Sequence, residues 1–252
     1  MKVRVLGCGG AEMPGFNPPA FLLDGRLLLD AGTIGAVLHA EEQEEIELVL
    51  VTHAHLDHVR GIPSLADNLV VAGSRRKVII AGLPRVIGDL RRHVLNNAIW
   101  PDFSAIPTEE EAVIDFLEME AGQVLCWGDQ RISLWPVNHC VPAAGIIVRG
   151  REGSLLYTGD TGPTESIWHA ADGIDTYIVE VSFPNSMEKL ALAAGHLTPR
   201  LLALEMLKPS RMPSRIFITH PKSGCLEVIK RELLELGIPG LALLTDGMRF
   251  DV

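Results

Sequence analysis

The sequence predicts an α/β protein in which two β-sheets pack face to face with helices on the outside. Short apolar strand patterns recur along the 252-residue chain, and helical patterns are interleaved with them in both halves. Hydrophobic residues make up 47% of the chain, which is typical of a protein with a well-buried core. The sequence contains no repeat, linker or low-complexity segment, so we expect residues 1–252 to form a single domain.

The first half of the chain opens with strands. Val3–Leu6 is apolar, and the stretch AFLLDGRLLLDAG has the pattern of a β-hairpin that turns at Asp24-Gly25. The other elements predicted in this half are a helix over Ile34–Glu45, strands over Ile46–Thr52 and Lys77–Ala81, and a helix from Pro84 to Leu95 with proline at its first position.

The second half is richer in strands. They are predicted over Glu111–Glu120, Gln123–Cys126, Gln130–Val137, Ala144–Val148, Ser154–Thr158, Thr176–Val181 and Arg215–Thr219. Helices are predicted over Thr198–Leu207, which begins with a favourable Thr-Pro pair, and over Leu226–Leu236. Together the two halves provide strands for two sheets and helices for their outer faces.

Charge and hydropathy argue against two classes of partner. The net charge of −10 disfavours a nucleic acid bound through its phosphate backbone, because such binding relies on clustered Lys and Arg. The densest basic clusters, Arg75–Lys77 and Arg91-Arg92, are short enough to be ordinary solvated surface. There is no apolar run of about 18 residues, so we expect no membrane span.

Cysteine usage and the first residues indicate the compartment. The four cysteines are widely spaced and form no CxxC pair, which favours free thiols in a reducing environment. The opening stretch MKVRVLGCGG lacks the apolar segment of a signal peptide. We therefore expect a cytoplasmic protein, whose oligomeric state is open, with a homodimer as one option.

Ligand-type side chains are concentrated in the stretch VLVTHAHLDHVRGIP, which follows a buried strand and leads toward a helix. In extended backbone, residues two apart project to the same side, so His53 and His55 can chelate one metal ion. Asp57 and His58 follow where the chain turns away, and they can face a second ion.

Three later strands also end in a possible metal ligand. His139 follows ISLWPVN, Asp160 follows SLLYTG, and His220 follows RIFIT. Strand ends of this kind recur too often to be unrelated turn residues. Imidazole and carboxylate without thiolate suit Zn²⁺, Mn²⁺ or Fe, with Zn²⁺ the commonest choice. The remaining histidines outside the second-half segment GHLTP are expected to be structural or exposed, and they are His39, His93 and His169.

The motif HAHLDH, with the order of the later ligands, resembles the metallo-β-lactamase superfamily along nearly the whole chain. That resemblance implies an αββα sandwich and two divalent metal ions, expected to be Zn²⁺. It also implies that the first ion is held by His53, His55 and His139, that the second is held by Asp57, His58 and His220, and that Asp160 bridges the two. Asp57 is further expected to orient the attacking group.

The position of His196, in GHLTP, supports two interpretations of its role equally well. This histidine is either a residue with no chemistry before a helix, or a proton donor to a leaving group that Glu180, at the end of TYIVEV, would orient. The stretches EVSFPN and GHLTP are similar to those of class II 3′,5′-cyclic-nucleotide phosphodiesterases, in a branch related to RNase Z. This resemblance favours the proton donor and makes Asp57, Glu180 and His196 the expected catalytic residues.

The resemblance implies hydrolysis of a small-molecule phosphodiester, with 3′,5′-cyclic AMP converted to 5′-AMP as the leading expectation. An RNase Z-like endonuclease is an alternative, which the acidic charge and the absence of an evident basic arm disfavour. A metal-dependent thioester hydrolase of the same fold is another alternative, although a thiolate leaving group has no use for His196. Trp100 and Phe183 are candidates to stack on a nucleotide base. Aromatic side chains such as these more commonly pack in the core.

Overall fold

The computed structural model describes all 252 residues and arranges them as two central sheets between two outer layers of helices. The first sheet contains β1 (Lys2–Gly7), β2 (Ala20–Leu23), β3 (Leu27–Leu29), β4 (Leu48–Leu50), β5 (Val78–Gly82), β6 (Ile114–Glu118) and β14 (Arg249–Asp251). The second sheet contains β7 (Val124–Trp127), β8 (Gln130–Pro136), β9 (Ala144–Arg149), β10 (Ser154–Tyr157), β11 (Thr176–Glu180), β12 (Arg215–Thr219) and β13 (Leu241–Leu243).

The two sheets follow the same plan. The first runs β14-β1-β2-β3-β4-β5-β6 and the second runs β13-β12-β11-β10-β9-β8-β7. In each sheet one half is antiparallel, as in the β1–β2 and β8–β9 pairs, and the other half is parallel. The parallel halves matter for function, because ligand sites in open α/β sheets lie beyond the carboxyl ends of the strands.

Period-two alternation sorts the side chains of β4 between two cores. Leu48 and Leu50 pack between the two sheets, whereas Val49, and Val51 just after the strand, pack against helices on the outer face. Both faces of this parallel strand are therefore buried, which explains why its sequence is a continuous apolar run and not an alternation of apolar and polar residues.

Helices cover the outer face of each sheet. They are α1 (Ala40–Glu44), α2 (Leu56–Val59), α3 (Gly61–Val71), α4 (Pro84–His93), α5 (Ser166–Ala170), α6 (Glu188–Ala194), α7 (Pro199–Glu205) and α8 (Leu226–Glu235). Ile62 and Leu65 of α3 pack in the core outside the first sheet, and Leu202 and Ile229 of α7 and α8 pack in the core outside the second. No helix has both the length and the apolar character needed to cross a membrane.

Most predicted elements are present, with boundaries shifted by a few residues. The predicted helix over Ile34–Glu45 is wrong in its first half, since only Ala40–Glu44 is helical. The reason is an N-terminal cap, because the Glu42 side chain accepts a hydrogen bond of 3.0 Å from the backbone N–H of His39 and starts the helix there. The short strands β13 and β14 were not predicted, since three residues are too few to show a period.

Leu50→Ala tests the importance of the core between the sheets. Leu50 is fully buried there. Its truncation should lower the free energy of unfolding by about 2–5 kcal/mol, because it removes apolar contacts and leaves a cavity. Urea denaturation measures the change. The control is Leu234→Ala on α8, where the leucine is 75% exposed and the expected change is about 0.5 kcal/mol or less. Equal losses in both variants would contradict this packing.

Candidate metal centre

Five of the predicted site residues lie at or just beyond the ends of strands. His53 comes after β4, His139 after β8 and Asp160 after β10. Glu180 is the last residue of β11, and His220 comes directly after β12. Since β10, β11 and β12 run parallel to one another, their carboxyl ends meet at one edge of the second sheet and bring distant residues together.

All seven predicted ligands converge in two groups, and a third group joins Asp160 and His220 to His196. Within each group, one potential ligand atom per residue lies within 4.8 Å of every other. The first group is His53, His55, His139 and Asp160, and the second is Asp57, His58 and His220.

Asp160 lies between the two groups. Its Oδ2 is 3.8 Å from His53 Nε2 and 3.4 Å from His220 Nε2, and its Oδ1 is 3.4 Å from His58 Nε2. On the far side, Asp57 Oδ2 lies 3.4 Å from His220 Nε2. From this position a single carboxylate can reach two ions.

Buried polar atoms without hydrogen-bond partners are concentrated in this cluster. Only four such side-chain atoms occur in the chain, and three of them are His53 Nε2, His58 Nε2 and Asp160 Oδ1. Each unpaired buried atom costs about 1–3 kcal/mol. Divalent cations in the two ligand groups would give these atoms partners, and the imidazole and carboxylate donors suit Zn²⁺, Mn²⁺ or Fe. The site is therefore suited to metal binding.

Hydrogen bonds to the outer ring nitrogens hold the histidines so that Nε2 faces inward. His53 Nδ1 donates to Thr52 Oγ1 at 3.0 Å, His58 Nδ1 to Asp30 Oδ2 at 2.7 Å, His139 Nδ1 to the Gly195 carbonyl at 2.9 Å, and His220 Nδ1 to Ser182 Oγ at 2.8 Å. His55 is the exception, because its Nδ1 lies 3.3 Å from His139 Nε2 and so faces the cluster itself. Such outer partners fix the tautomer that a metal ligand needs.

Asp30 is the most connected of these outer partners. It is fully buried beyond the end of β3. Its carboxylate accepts hydrogen bonds from the backbone N–H and hydroxyl of Thr52, from His58 Nδ1, and from the hydroxyl of Tyr157 at 2.8 Å. Because Tyr157 belongs to β10, this carboxylate also joins the two sheets behind the metal centre.

The electrostatics of the cluster favour metal-binding protonation states in the first group. Burial lowers the pKa of His53 well below its usual value, and the neighbouring His58 lowers it further. Burial opposes ionisation of Asp160, but His220 and His58 outweigh it and hold the pKa of this carboxyl well below its usual value. A neutral imidazole and an ionised carboxylate are the forms that bind a cation.

His58 shows the opposite shift. Burial disfavours its charged form, yet the carboxylates of Asp160 and Asp30 outweigh burial and raise its pKa well above the usual value. The pocket around His58 therefore has a surplus of negative charge that binds either a proton or a metal cation.

Two site residues have a backbone in the left-handed region, which residues other than glycine rarely adopt. Asp30 has φ of 56° and His220 has φ of 66°, and only two other non-glycine residues in the chain have a positive φ. Residues held in this region cost of order 1–3 kcal/mol each and cluster at functional sites. At His220 the backbone is fixed by its N–H, which donates to the Cys8 carbonyl at 2.7 Å.

Glu180 and His196 form a buried pair beside the metal ligands. His196 Nδ1 lies 2.8 Å from Glu180 Oε1, which also accepts from the backbone N–H of Thr161 at 3.1 Å. The ring of His196 stacks on that of His220 at 5.4 Å and meets that of His139 at 5.2 Å. With Nδ1 held by Glu180, the free Nε2 of His196 is available to the site. Burial opposes protonation, but Glu180 outweighs it and raises the pKa of His196.

Several supporting residues were not predicted from the sequence. Asp30 could have been found as a further strand-end carboxylate, in LLLDAG, whereas Ser182 and Thr52 carry no distinguishing pattern. Phe183 is half-buried, with its ring 5.7 Å from that of His196, so it borders the site. Trp100 is 39% exposed in the segment after α4. The exposed His39, His93 and His169 belong to neither ligand group, as expected.

Comparison with known proteins gives one family match and several relatives. A family model described as the β-lactamase superfamily domain matches residues 26–220. A ribonuclease Z from Ignicoccus hospitalis is 23% identical over 61% of this chain and 63% of the relative. A probable 3′,5′-cyclic-nucleotide phosphodiesterase from Yersinia pestis is 26% identical over 66% of this chain and 52% of the relative. The matched region thus spans less than two thirds of either relative.

The solved structures confirm the fold. The metallo-β-lactamase fold protein YhfI from Bacillus subtilis superposes with a TM-score of 0.81 and 19% identity, over 99% of both chains. At this identity the likeness concerns the fold alone. The αββα sandwich predicted from the sequence is therefore correct.

Asp30→Asn tests the role of the outer partners. The substitution keeps the shape but removes the charge that holds His58, and metal binding should weaken about 10- to 100-fold. Competition titration against a chromophoric chelator measures the affinity, and circular dichroism checks that the variant folds. The control is Asp67→Asn, an exposed carboxylate on α3. Unchanged affinity in a folded Asp30→Asn protein would rule out this role.

Proposed function

The chain belongs to the β-lactamase superfamily and is a hydrolytic enzyme, and from this premise we propose that it is a phosphodiesterase acting on a small cyclic phosphodiester, with 3′,5′-cyclic AMP as substrate and 5′-AMP as product. The observation that carries the proposal is the buried Glu180–His196 pair, with Oε1 and Nδ1 2.8 Å apart, next to both ligand groups. A ligand set alone does not distinguish the ester that is cleaved, so the residues beside it must.

In this proposal two divalent ions, Zn²⁺ before Mn²⁺ or Fe, occupy the two ligand groups. His53, His55 and His139 would hold the first ion, Asp57, His58 and His220 would hold the second, and Asp160 would be a ligand shared by both. When bound, such ions supply a water nucleophile at neutral pH and neutralise charge on phosphoryl oxygens. The close approach of Asp160 to three histidine nitrogens supports this division.

His196 acts as the general acid. Its Nδ1 is held by Glu180, so Nε2 presents a proton to the oxygen of the departing sugar alkoxide. Glu180 stabilises the charged imidazole and fixes its ring, since its second oxygen is itself held by the Ser182 hydroxyl at 3.0 Å. A sugar alkoxide is a strongly basic leaving group, so its departure depends on such a donor. Asp57, which is one-third exposed, orients the attacking group.

An RNase Z-like endonuclease is the second candidate, and the ribonuclease Z relatives favour it. Both candidates break a phosphodiester with an alkoxide leaving group, so the same acid would serve either one. The net charge of −10 favours the smaller substrate, because an RNA bound along its backbone needs a basic surface. A thioester hydrolase would leave the Glu180–His196 pair without a role.

A substrate panel tests the proposed function directly. Metal-loaded protein is incubated with cyclic AMP, a 2′,3′-cyclic nucleotide, an RNA with a 3′ trailer and a glutathione thioester. We expect hydrolysis of cyclic AMP to 5′-AMP. Chromatography of the products measures this conversion. Cleavage of the RNA with cyclic AMP left intact would favour the second candidate, and exclusive thioester cleavage would overturn both.

His196→Ala tests the acid role. Turnover of cyclic AMP should fall by about 10²- to 10⁴-fold, the usual contribution of a general acid. Turnover of bis(p-nitrophenyl) phosphate should fall far less, because p-nitrophenolate leaves without a proton. The control is His169→Ala, an exposed histidine outside the cluster. Equal losses on the two substrates would remove His196 from the acid role.

A further inference from the structure

The loop between β1 and β2 holds the backbone of the segment that carries His220. The Cys8 carbonyl accepts hydrogen bonds from the His220 N–H at 2.7 Å and from the Thr219 hydroxyl at 3.1 Å. The Gly10 N–H donates to the Pro221 carbonyl at 3.0 Å. The first residues of this loop are therefore bonded to three consecutive residues around a potential ligand of the second group.

The contact between this loop and His220 is close. A Cβ at Gly10 would lie 2.4 Å from the His220 carbonyl oxygen, so the approach requires glycine. Lys222 Nζ also donates to the Gly10 carbonyl, at 2.7 Å. His220 has φ of 66°, and such a conformation persists only where the surrounding structure fixes it. Because the loop supplies these contacts, its displacement would let His220 relax and turn its ring away from the second group.

A single carboxylate holds both ends of the loop. Asp246 lies just beyond β13, where its Oδ1 accepts from the Cys8 N–H at 3.1 Å and its Oδ2 accepts from the Asn17 N–H at 2.9 Å. The Gly9 N–H donates to the Asn17 carbonyl at 2.8 Å and closes the loop between these two points. Asp246 is thus connected to His220 through one residue, Cys8.

The Cys8 thiol makes a third contact with the same carboxylate. Its side chain is buried, and Sγ lies 3.4 Å from Asp246 Oδ1. Burial, and then the charge of Asp246, raise the pKa of this thiol well above its usual value, so the thiol keeps its hydrogen and donates it to the hydrogen bond. The histidines of the first group have other partners, and no hydrogen bond connects them to this loop.

We propose that Asp246 is a positioning residue for the second metal ion. The inference rests on the metal centre of the proposed function. Through Cys8, Asp246 keeps the backbone of His220 in the left-handed conformation that brings its Nε2 to 3.4 Å from Asp57 Oδ2. Asp246 itself contacts no potential metal ligand by hydrogen bond, so its effect is transmitted by the loop and falls on the second ion.

Stepwise zinc titration of Asp246→Asn tests the proposal without relying on activity. Asparagine keeps the shape, but its amide nitrogen cannot accept a hydrogen bond, so one of the two loop N–H groups loses its partner. We expect the second ion to bind about 10- to 100-fold more weakly, the usual effect of changing an outer partner, and the first ion to bind as in the wild type. Competition with a chromophoric chelator measures both affinities, and His220→Ala identifies the one that belongs to the second group.

Asp175→Asn is the matched control. The Asp175 carboxylate also holds a backbone N–H and a side-chain donor, those of Ser154 at 3.1 and 2.6 Å, but at the end of β10 opposite to Asp160. Both zinc affinities should be unchanged in this variant. Asp246→Glu is a second test variant, because it keeps the charge and displaces the oxygens by one methylene, and it should weaken the same affinity. Circular dichroism checks that each variant folds.

The outcomes separate this proposal from the one on which it rests. Two affinities that fall equally in the folded Asp246 variants, or that both stay at the wild-type values, overturn the positioning role of Asp246 alone. A wild-type protein that binds fewer than two zinc ions overturns the second ligand group, and with it the proposed function.

Discussion

A single buried carboxylate, that of Asp30, connects the fold to the chemistry. A buried charge is strongly unfavourable unless hydrogen bonds compensate it. Asp30 obtains these bonds from Thr52, His58 and Tyr157, which come from the end of β4, from α2 and from the opposite sheet. If any of these groups moved away, the buried carboxylate would lose a hydrogen bond. The requirement to satisfy one charge therefore fixes both the junction of the two sheets and the orientation of His58.

The same principle links the metal ligands to the proton donor. Gly195 ends α6 with φ of 71°, and its carbonyl accepts the hydrogen bond from His139 Nδ1. A Cβ at this position would lie 3.0 Å from that nitrogen, so the close approach requires glycine. The next residue in the chain is His196. The segment at Gly195 thus orients a histidine of the first group and positions the imidazole that we propose as general acid. The ligand group and the proposed acid are therefore fixed relative to each other.

Much of this arrangement could be predicted from the sequence, because strand ends and the HAHLDH motif identify the ligands by type and position. Among the outer partners, only the strand-end position of Asp30 has a pattern in the sequence. Ser182 and the Gly195 carbonyl act through a hydroxyl and a backbone group, which leave no pattern in a sequence. The role of Asp30 depends on the register between sheets, which local periodicity does not reveal. The helix boundary at His39 depends on one capping bond, and this competes with a continuous helical pattern.

His139 lies between the two parts of the site. Its Nδ1 side faces Gly195 and the proposed acid, whereas its Nε2 side faces the cluster and Cys140. The first side leads to the proposed acid, and the second faces the other potential ligands of the first group. The orientation of His139 and the position of the proposed acid are therefore set by the same short segment at the end of α6.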